Sequence, residues 1–325
     1  MHKVVALLSG GLDSTLSVKI MKDQGFDVKA LAIKTPFCDF DCGHGCGFKV
    51  MEVADRLGVD LKTVYIGDEY IEMLKNPKHG YGSGMNPCID CRIMMYKEAK
   101  KYMEEIGAEF IITGEVLGQR PMSQNKRALK IIELEGDLEG KVLRPLSGKN
   151  LEPIEAEKKG IIDRNKLLSI RGRSRKTQFR LAKELGIVEY PNAAGGCLLT
   201  DPQFSKRVKD LLKYVNKPTL NDIELLKIGR HFRLDNSKLI VGRNKEENEK
   251  IKALALDDDI LLETRDYKGP VGLLRKDPND IMQASMIVLR YSDAPKNKES
   301  TIISNIGNNI NVIPIDDKIL DKYRI

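Results

Sequence analysis

The 325-residue sequence has no tryptophan, 6% aromatic residues and four histidines. So few rings leave the C-terminal part little with which to stack nucleic-acid bases. No apolar run approaches the roughly 20 residues that a membrane helix needs. The first residues, Met-His-Lys-Val-Val-Ala-Leu-Leu, lack the small-residue cleavage site of a secretory signal. A cytoplasmic location with no membrane partner is therefore expected. Internal repeats and low-complexity tracts are absent as well, which excludes solenoid and linker-dominated architectures. Six cysteines in a cytosolic chain point away from a disulfide framework and toward metal binding or thiol chemistry.

What is present is unevenly charged. The chain carries a formal net charge of +7, yet residues 141–185 alone hold 13 Lys and Arg against 5 Asp and Glu. A focused basic segment suits a polyanion such as RNA; a solvated lysine-rich surface is the alternative.

Short apolar runs alternate with helical patterns over the first two-thirds. Val4–Leu8, Val28–Ile33, Leu61–Ile66 and Phe110–Thr113 have strand length; Leu16–Met21, Val50–Leu57 and Cys91–Ile106 have helical spacing and end at glycines. This pattern predicts an α/β fold, a Rossmann-like parallel sheet covered on both faces, with ligands at the carboxyl ends of the strands. After about residue 200 the texture becomes α+β. Phe204–Val215 reads as helix, and Phe232–Val241, Ile260–Thr264, Val271–Leu274, Met286–Tyr291 and Ile310–Ile313 read as strands. The expected domains are 1–215 and 220–325, joined through Asn216–Thr219.

Between the first strand and first helix stands Ser9-Gly10-Gly11-Leu12-Asp13-Ser14. Glycines let backbone N–H groups approach an anion, the helix start adds partial positive charge, and the hydroxyls add donors. The string lacks the Gly-Lys-[Ser/Thr] of a Walker A loop and the G-x-G-x-x-G of a dinucleotide site. A plain strand-to-helix turn is the bland alternative. SGGLDS resembles the PP-loop of the ATP pyrophosphatase superfamily, whose members cleave ATP between its α- and β-phosphates and adenylate a carbonyl oxygen. The resemblance implies that Ser9, Gly10, Gly11, Leu12, Asp13 and Ser14 bind ATP and that Asp13 helps hold Mg²⁺. It further implies that Ala32 and Ile33 border the adenine and that Gly114 and Gln119 line the nucleotide side.

Asn86-Pro87-Cys88-Ile89-Asp90-Cys91 is a C-x-x-C at a helix start, where the helix dipole favours thiolate; Cys197 follows far downstream in a glycine-rich turn. NPCxxC with a distant third cysteine resembles tRNA 2-thiouridylases. TGEVLGQ at residues 113–119 resembles tRNA 4-thiouridine synthetases, and residues 170–201 (IRGRSRKTQ…YPNAAGGCLLTD) resemble thiouridylase-related proteins of anaerobes and archaea. The resemblance covers about residues 3–205. It implies an ATP-dependent tRNA sulfurtransferase in which Asp13, Cys88, Cys91 and Cys197 carry the chemistry. Either Cys88 or Cys91 bears a persulfide that Cys197 resolves, or the three thiolates hold a [4Fe–4S] cluster with one open iron. A structural zinc is the third option, one ligand short of a closed site.

Cys38, Cys42, His44 and Cys46 form a C-x₃-C-x₃-C stretch that offers a second metal site, zinc ahead of iron, or a sulfur relay. Arg171, Arg173, Arg175 and Lys176 match phosphate geometry and are the expected RNA clamp, against the alternative of a solvated helix face. No RNA-binding module of the 4-thiouridine synthetase type precedes the loop here. The uridine attacked and the product, 2-thio or 4-thio, thus stay open, and another region should help grip the RNA. Residues 232–254, with Val-Gly-Arg-Asn before a helix, resemble the NFACT-family RNA-binding domain. Expected partners are tRNA, a sulfur donor (sulfide or a cysteine desulfurase) and, as an option, a second copy of the chain. A PP-loop sulfur transferase or ligase with a non-RNA substrate is the competing function.

Overall fold

The computed structural model describes residues 1–38, 47–187, 197–275 and 278–325. Cys42, His44 and Cys46 lie outside the described residues. The chain divides into two compact units, Met1–Thr200 and Asp201–Ile325.

In the first unit, β1 (Lys3–Leu7), β2 (Asp27–Lys34), β3 (Leu61–Tyr65), β4 (Phe110–Thr113) and β5 (Val142–Leu143) pair in parallel in the order β3-β2-β1-β4-β5. The helices between them are α1 (Leu12–Asp23), α2 (Gly47–Leu57), α3 (Asp68–Lys75), α4 (Cys88–Glu105) and α5 (Lys126–Glu135). Then come α6 (Glu155–Lys158) and α7 (Lys176–Glu184). Side-chain alternation sorts each strand onto two cores. Val4, Ala6, Ala30, Ala32 and Ile112 meet Val18 and Met21 of α1 and Val53 of α2 on one face. Val5, Leu31, Ile111 and Val142 meet Ile93, Tyr96, Ala99 and Met103 of α4 on the other. Apolar residues in consecutive positions of short strands are what a doubly covered parallel sheet requires.

The second unit is an antiparallel sheet. Its elements are α8 (Pro202–Tyr214), α9 (Leu220–Leu226), β6 (Arg230–Leu234), β7 (Ser237–Val241), α10 (Lys245–Leu254), β8 (Ile260–Thr264) and β9 (Gly272–Arg275). They are followed by α11 (Ile281–Arg290), β10 (Ser300–Ser304), β11 (Asn309–Val312) and α12 (Asp317–Leu320). The strand order is β11-β10-β8-β9-β7-β6. One face packs Leu239, Leu262 and Leu274 against Ala284, Ile287 and Val288 of α11. The other packs Ile240 and Leu273 against Leu225 of α9 and Ile251 of α10.

Three readings of this region differ from the structure. Residues 232–241 are two antiparallel strands, not one: Leu234 pairs with Ser237 across Asp235-Asn236, and Asp235 takes the left-handed turn conformation at φ 42°. Met286–Tyr291 is helical, the end of α11 with Tyr291 as its cap. The apolar run is continuous because Ile287, Val288 and Leu289 cover a wide buried face, and a short apolar run has no period of its own. The division falls at Thr200/Asp201 instead of within 216–219. Helix α8 belongs to the second unit because Arg207 donates to the Leu226 and Gly229 carbonyls and Asp210 pairs with Arg233 and Lys238. Burial pushes the Lys238 ammonium down to about 8 even with Asp210 beside it.

Candidate active site

Strand order places the site. β1 is flanked by β2 on one side and β4 on the other, so the chain winds in opposite senses from it, and the carboxyl ends of β1 and β4 form the topological switch point at which sheets of this class take their ligands. The SGGLDS loop follows β1 and the TGEVLGQ segment follows β4. Their approach is very close: a Cβ on Gly114 would stand 2.4 Å from the Ser14 nitrogen and 2.6 Å from the Asp13 carbonyl carbon. Gly114→Ala should therefore push the loop off its geometry, because backbone cannot yield as a flexible side chain does. The expected result is a loss of stability of about 1–3 kcal/mol, as for other overpacked sites, with far-UV circular dichroism unchanged; the melting temperature checks it.

The loop itself is ordered by its hydroxyls. Gly10 has φ 75°, which an L side chain rarely adopts, and Gly11 caps α1 in extended conformation. The Ser14 hydroxyl donates to the Gly11 carbonyl at 2.8 Å, Thr15 Oγ1 to the same carbonyl at 3.0 Å, and Ser9 Oγ lies 3.2 Å from Ser14 Oγ. No side chain at the N-cap occupies the first amides of α1, which leaves donors for an anion. Leu12 is different: its side chain is buried with Leu16, Val116 and Ile170, so only its backbone can serve a ligand. Ala32 and Ile33 likewise pack into the opposite cores of the sheet and present backbone alone at the end of β2.

Asp13 stands at this switch point. Gln119 Nε2 donates to its Oδ2 at 3.0 Å, and Arg175 stands 3.8 Å from the same oxygen. Its Oδ1 is buried without a hydrogen-bond partner among the described residues, as is Gln119 Oε1. Two such orphaned oxygens are what a magnesium ion accepts, since it prefers oxygen ligands.

The thiols form a second group. Cys88 and Cys91 begin α4, and Asn86 Nδ2 donates to Cys88 Sγ at 3.2 Å. The Tyr70 hydroxyl hydrogen-bonds Cys91, and Cys197 is close enough for its charge to act on both. Burial pushes the Cys91 thiol up to about 11 and the Cys197 thiol up to about 12, and neighbouring thiol charges add to the rise. The structure also places Cys38 here. Thr35 Oγ1 is 3.3 Å from its sulfur, the Phe37 ring meets Tyr70 at 5.6 Å, and its charge acts on Cys91 and Cys197. Sequence spacing groups Cys38 with the cysteines that follow it, yet the fold turns it toward those of α4. The donor set is thiol sulfur, the kind that iron–sulfur clusters and zinc take. Among the described residues no three His, Cys, Asp or Glu side chains are gathered into a metal-holding group.

The basic segment is tied to the TGEVLGQ segment. Gly172 N donates to the Leu117 carbonyl at 2.7 Å, and Leu117 pairs with Arg171 in a parallel bridge. Arg171, Arg173 and Lys176 are exposed, while Arg175 is half-buried and turned toward Asp13. Behind TGEVLGQ, Glu115 is 2% exposed and accepts from the Tyr96 hydroxyl at 2.6 Å and Arg144 Nε at 3.1 Å. Arg92, next to Cys91, lies 3.7 Å from its other oxygen. Burial alone would raise the Glu115 carboxyl, but Arg144 and Arg92 outweigh it and hold it below the usual range. Sequence spacing gives no role to Arg92, Arg144, Tyr70 or Tyr96, because their partners are distant in the chain.

The chain is similar to several known proteins. Against a probable tRNA sulfurtransferase from Thermococcus kodakarensis the chain is 33% identical over 162 residues, 47% of this chain and 39% of that one. Against the tRNA-specific 2-thiouridylase MnmA of a Marinomonas species it is 28% identical over 247 residues, 71% of this chain and 58% of that one. The chain thus spans between two-fifths and three-fifths of these relatives' length. The U34-tRNA thiolase NcsA from Methanococcus maripaludis, solved with its [4Fe–4S] cluster, aligns with a TM-score of 0.37 at 17% identity, covering 69% of this chain and 70% of that one. Residues 229–324 match the NFACT protein RNA-binding domain. Residues 1–166, half of the chain, match the family model of the thiamine biosynthesis protein ThiI, and with its PP-loop, parallel sheet and TGEVLGQ segment the chain belongs to that family.

Proposed function

We propose that this protein is an ATP-dependent tRNA sulfurtransferase that makes a thiouridine. The observation that carries the reading is the meeting of loops at the carboxyl ends of β1 and β4. There Gly114 presses on Ser14 of the phosphate loop, Arg175 stands 3.8 Å from Asp13, and Gly172 of the basic segment hydrogen-bonds Leu117, which supports a nucleotide site beside the basic segment.

The loop amides and the hydroxyls of Ser9 and Ser14 bind the phosphates, and Asp13 with Gln119 would hold a Mg²⁺ that balances them. Bound there, Mg²⁺ supplies charge neutralisation for the departing pyrophosphate. The uridine carbonyl oxygen attacks the α-phosphorus and pyrophosphate leaves; a poor leaving oxygen becomes a good one, as AMP. Hydrosulfide-level sulfur at the thiols then attacks the carbon of that carbonyl; the carbon–oxygen bond breaks, AMP departs with the electron pair and the sulfur loses its proton, so the carbon–sulfur double bond forms with no change of oxidation state. Cys88, Cys91 and Cys197 are the residues that would hold a [4Fe–4S] cluster, which when bound supplies an open iron for sulfide. The high pKa of Cys91 and Cys197 means that metal loading releases protons and weakens as pH falls.

Arg171, Arg173 and Lys176 position the RNA backbone, and residues 201–325 add an RNA-binding surface of the NFACT type. Replacing the three by alanine should weaken tRNA binding and flatten the slope of log K against log salt by about 1 for each charge removed. Filter binding across a salt series measures this; a slope equal to that of the wild type would remove the segment from the RNA interface. Liquid chromatography–mass spectrometry of tRNA from a deletion strain tests the function, with loss of one thionucleoside expected and an intact profile counting against tRNA as the acceptor.

A further inference from the structure

Arg120 follows Gln119 on the same turn, and the two side chains serve different neighbours. The turn is rigid: Arg120 N donates to Gln124 Oε1 at 3.1 Å, Gln124 N donates back to the Arg120 carbonyl at 2.9 Å, and Gly118 N donates to the Gln124 carbonyl at 2.6 Å. From it Gln119 reaches Asp13 of the phosphate loop. The Arg120 guanidinium makes no hydrogen bond or ion pair among the described residues. Its surroundings are the thiols of Cys88 and Cys197 and two further guanidiniums, Arg92 and Arg175.

Like charges gathered together raise the cost of keeping one another charged, a cost that an acid beside each of them offsets. Arg92 has Glu115 and Arg175 has Asp13, at 3.7 and 3.8 Å. Among the described residues no acidic side chain pairs with Arg120, which is exposed and close enough to Arg92 and Arg175 for their charges to act on it. A guanidinium that has no partner among the described residues and reaches solvent beside two others is a receptor for an anion, and its planar fork matches phosphate oxygens.

We propose that Arg120, assisted by Arg175, binds the α-phosphoryl group of the nucleotide, holding it between the phosphate loop and the thiols while AMP departs. This rests on the sulfurtransferase reading for the identity of the phosphate. The loop accounts for the pyrophosphate. A phosphate on the thiol side of Asp13 is the one bonded to the oxygen that sulfur displaces, and negative charge builds on it as that bond breaks.

Calorimetric titration of the full-length protein with AMP and with adenosine separates the phosphate from the base. Arg120→Ala should weaken AMP by about 10- to 100-fold and adenosine by less than about twofold, with Arg120→Lys recovering part of the difference. Equal loss of both ligands, or an unchanged AMP-to-adenosine ratio, overturns the assignment. An unchanged ratio accompanied by weaker tRNA binding would transfer the guanidinium to an RNA backbone phosphate and overturn it too. If the wild-type protein binds neither AMP nor adenosine, the nucleotide reading itself fails, an outcome distinct from a failure of Arg120.

Discussion

Asp13→Asn is expected to lower tRNA-dependent AMP release by at least about 100-fold while leaving tRNA affinity unchanged. The substitution keeps the shape and can still accept from Gln119, but it removes the negative charge that the site directs at a cation. The oxygen at position 13 and the orphaned Oε1 of Gln119 would then attract a cation less strongly. Cys197→Ser should act on the other half of the reaction: AMP release persists and thiolation stops, because serine neither carries sulfur nor ligates iron. Radiolabelled AMP and thionucleoside content, measured on the same reactions, distinguish the two. Retention of thiolation in both variants would remove the proposed chemistry altogether.

Glu115→Gln is expected to destabilise the protein by about 3–5 kcal/mol, because it breaks a buried ion-pair network by removing the carboxylate that two guanidiniums share. Arg144 is 4% exposed and Glu133 stays beside it, but Arg92 loses its acidic partner. A drop in Tm of roughly 6–15 °C follows for a chain of this size. The pH dependence has a definite sign. Glu115 has its folded-state pKa lowered, so its contribution is present above the ordinary carboxyl value of about 4.3 and is lost as pH falls through the lower folded value. Glu115→Gln should remove that part of the acid dependence. Differential scanning calorimetry between pH 3 and 7 reads both effects, and a variant melting within about 2 °C of the wild type would show that Glu115 does not hold the network together.

The consequence reaches the chemistry because Glu115 follows Gly114. The buried cluster of Tyr96, Arg144 and Glu115 fixes the strand end that presses on Ser14, and Arg92 ties the same carboxylate to the helix carrying Cys88 and Cys91. A rigid second layer of this kind is how a site keeps reacting groups at fixed separation.

The sequence by itself determined the parallel sheet, the loop after β1 and the cysteines at the start of α4, because each is written in neighbouring residues. Short apolar runs between glycines specify buried strands, and Ser-Gly-Gly-Leu-Asp-Ser carries its donors and its conformational freedom within six positions. Tertiary structure alone decided what lies far apart in the chain. It brought Cys38 to Cys91, set Arg175 beside Asp13, placed Arg120 near Arg92 and Arg175 and buried Glu115 against Arg144. It also split residues 230–241 at Asp235 and turned the run ending at Arg290 into a helix. Electrostatic partnership depends on distance in space, which spacing along a chain does not encode, and an apolar run becomes strand or helix according to the surface that covers it.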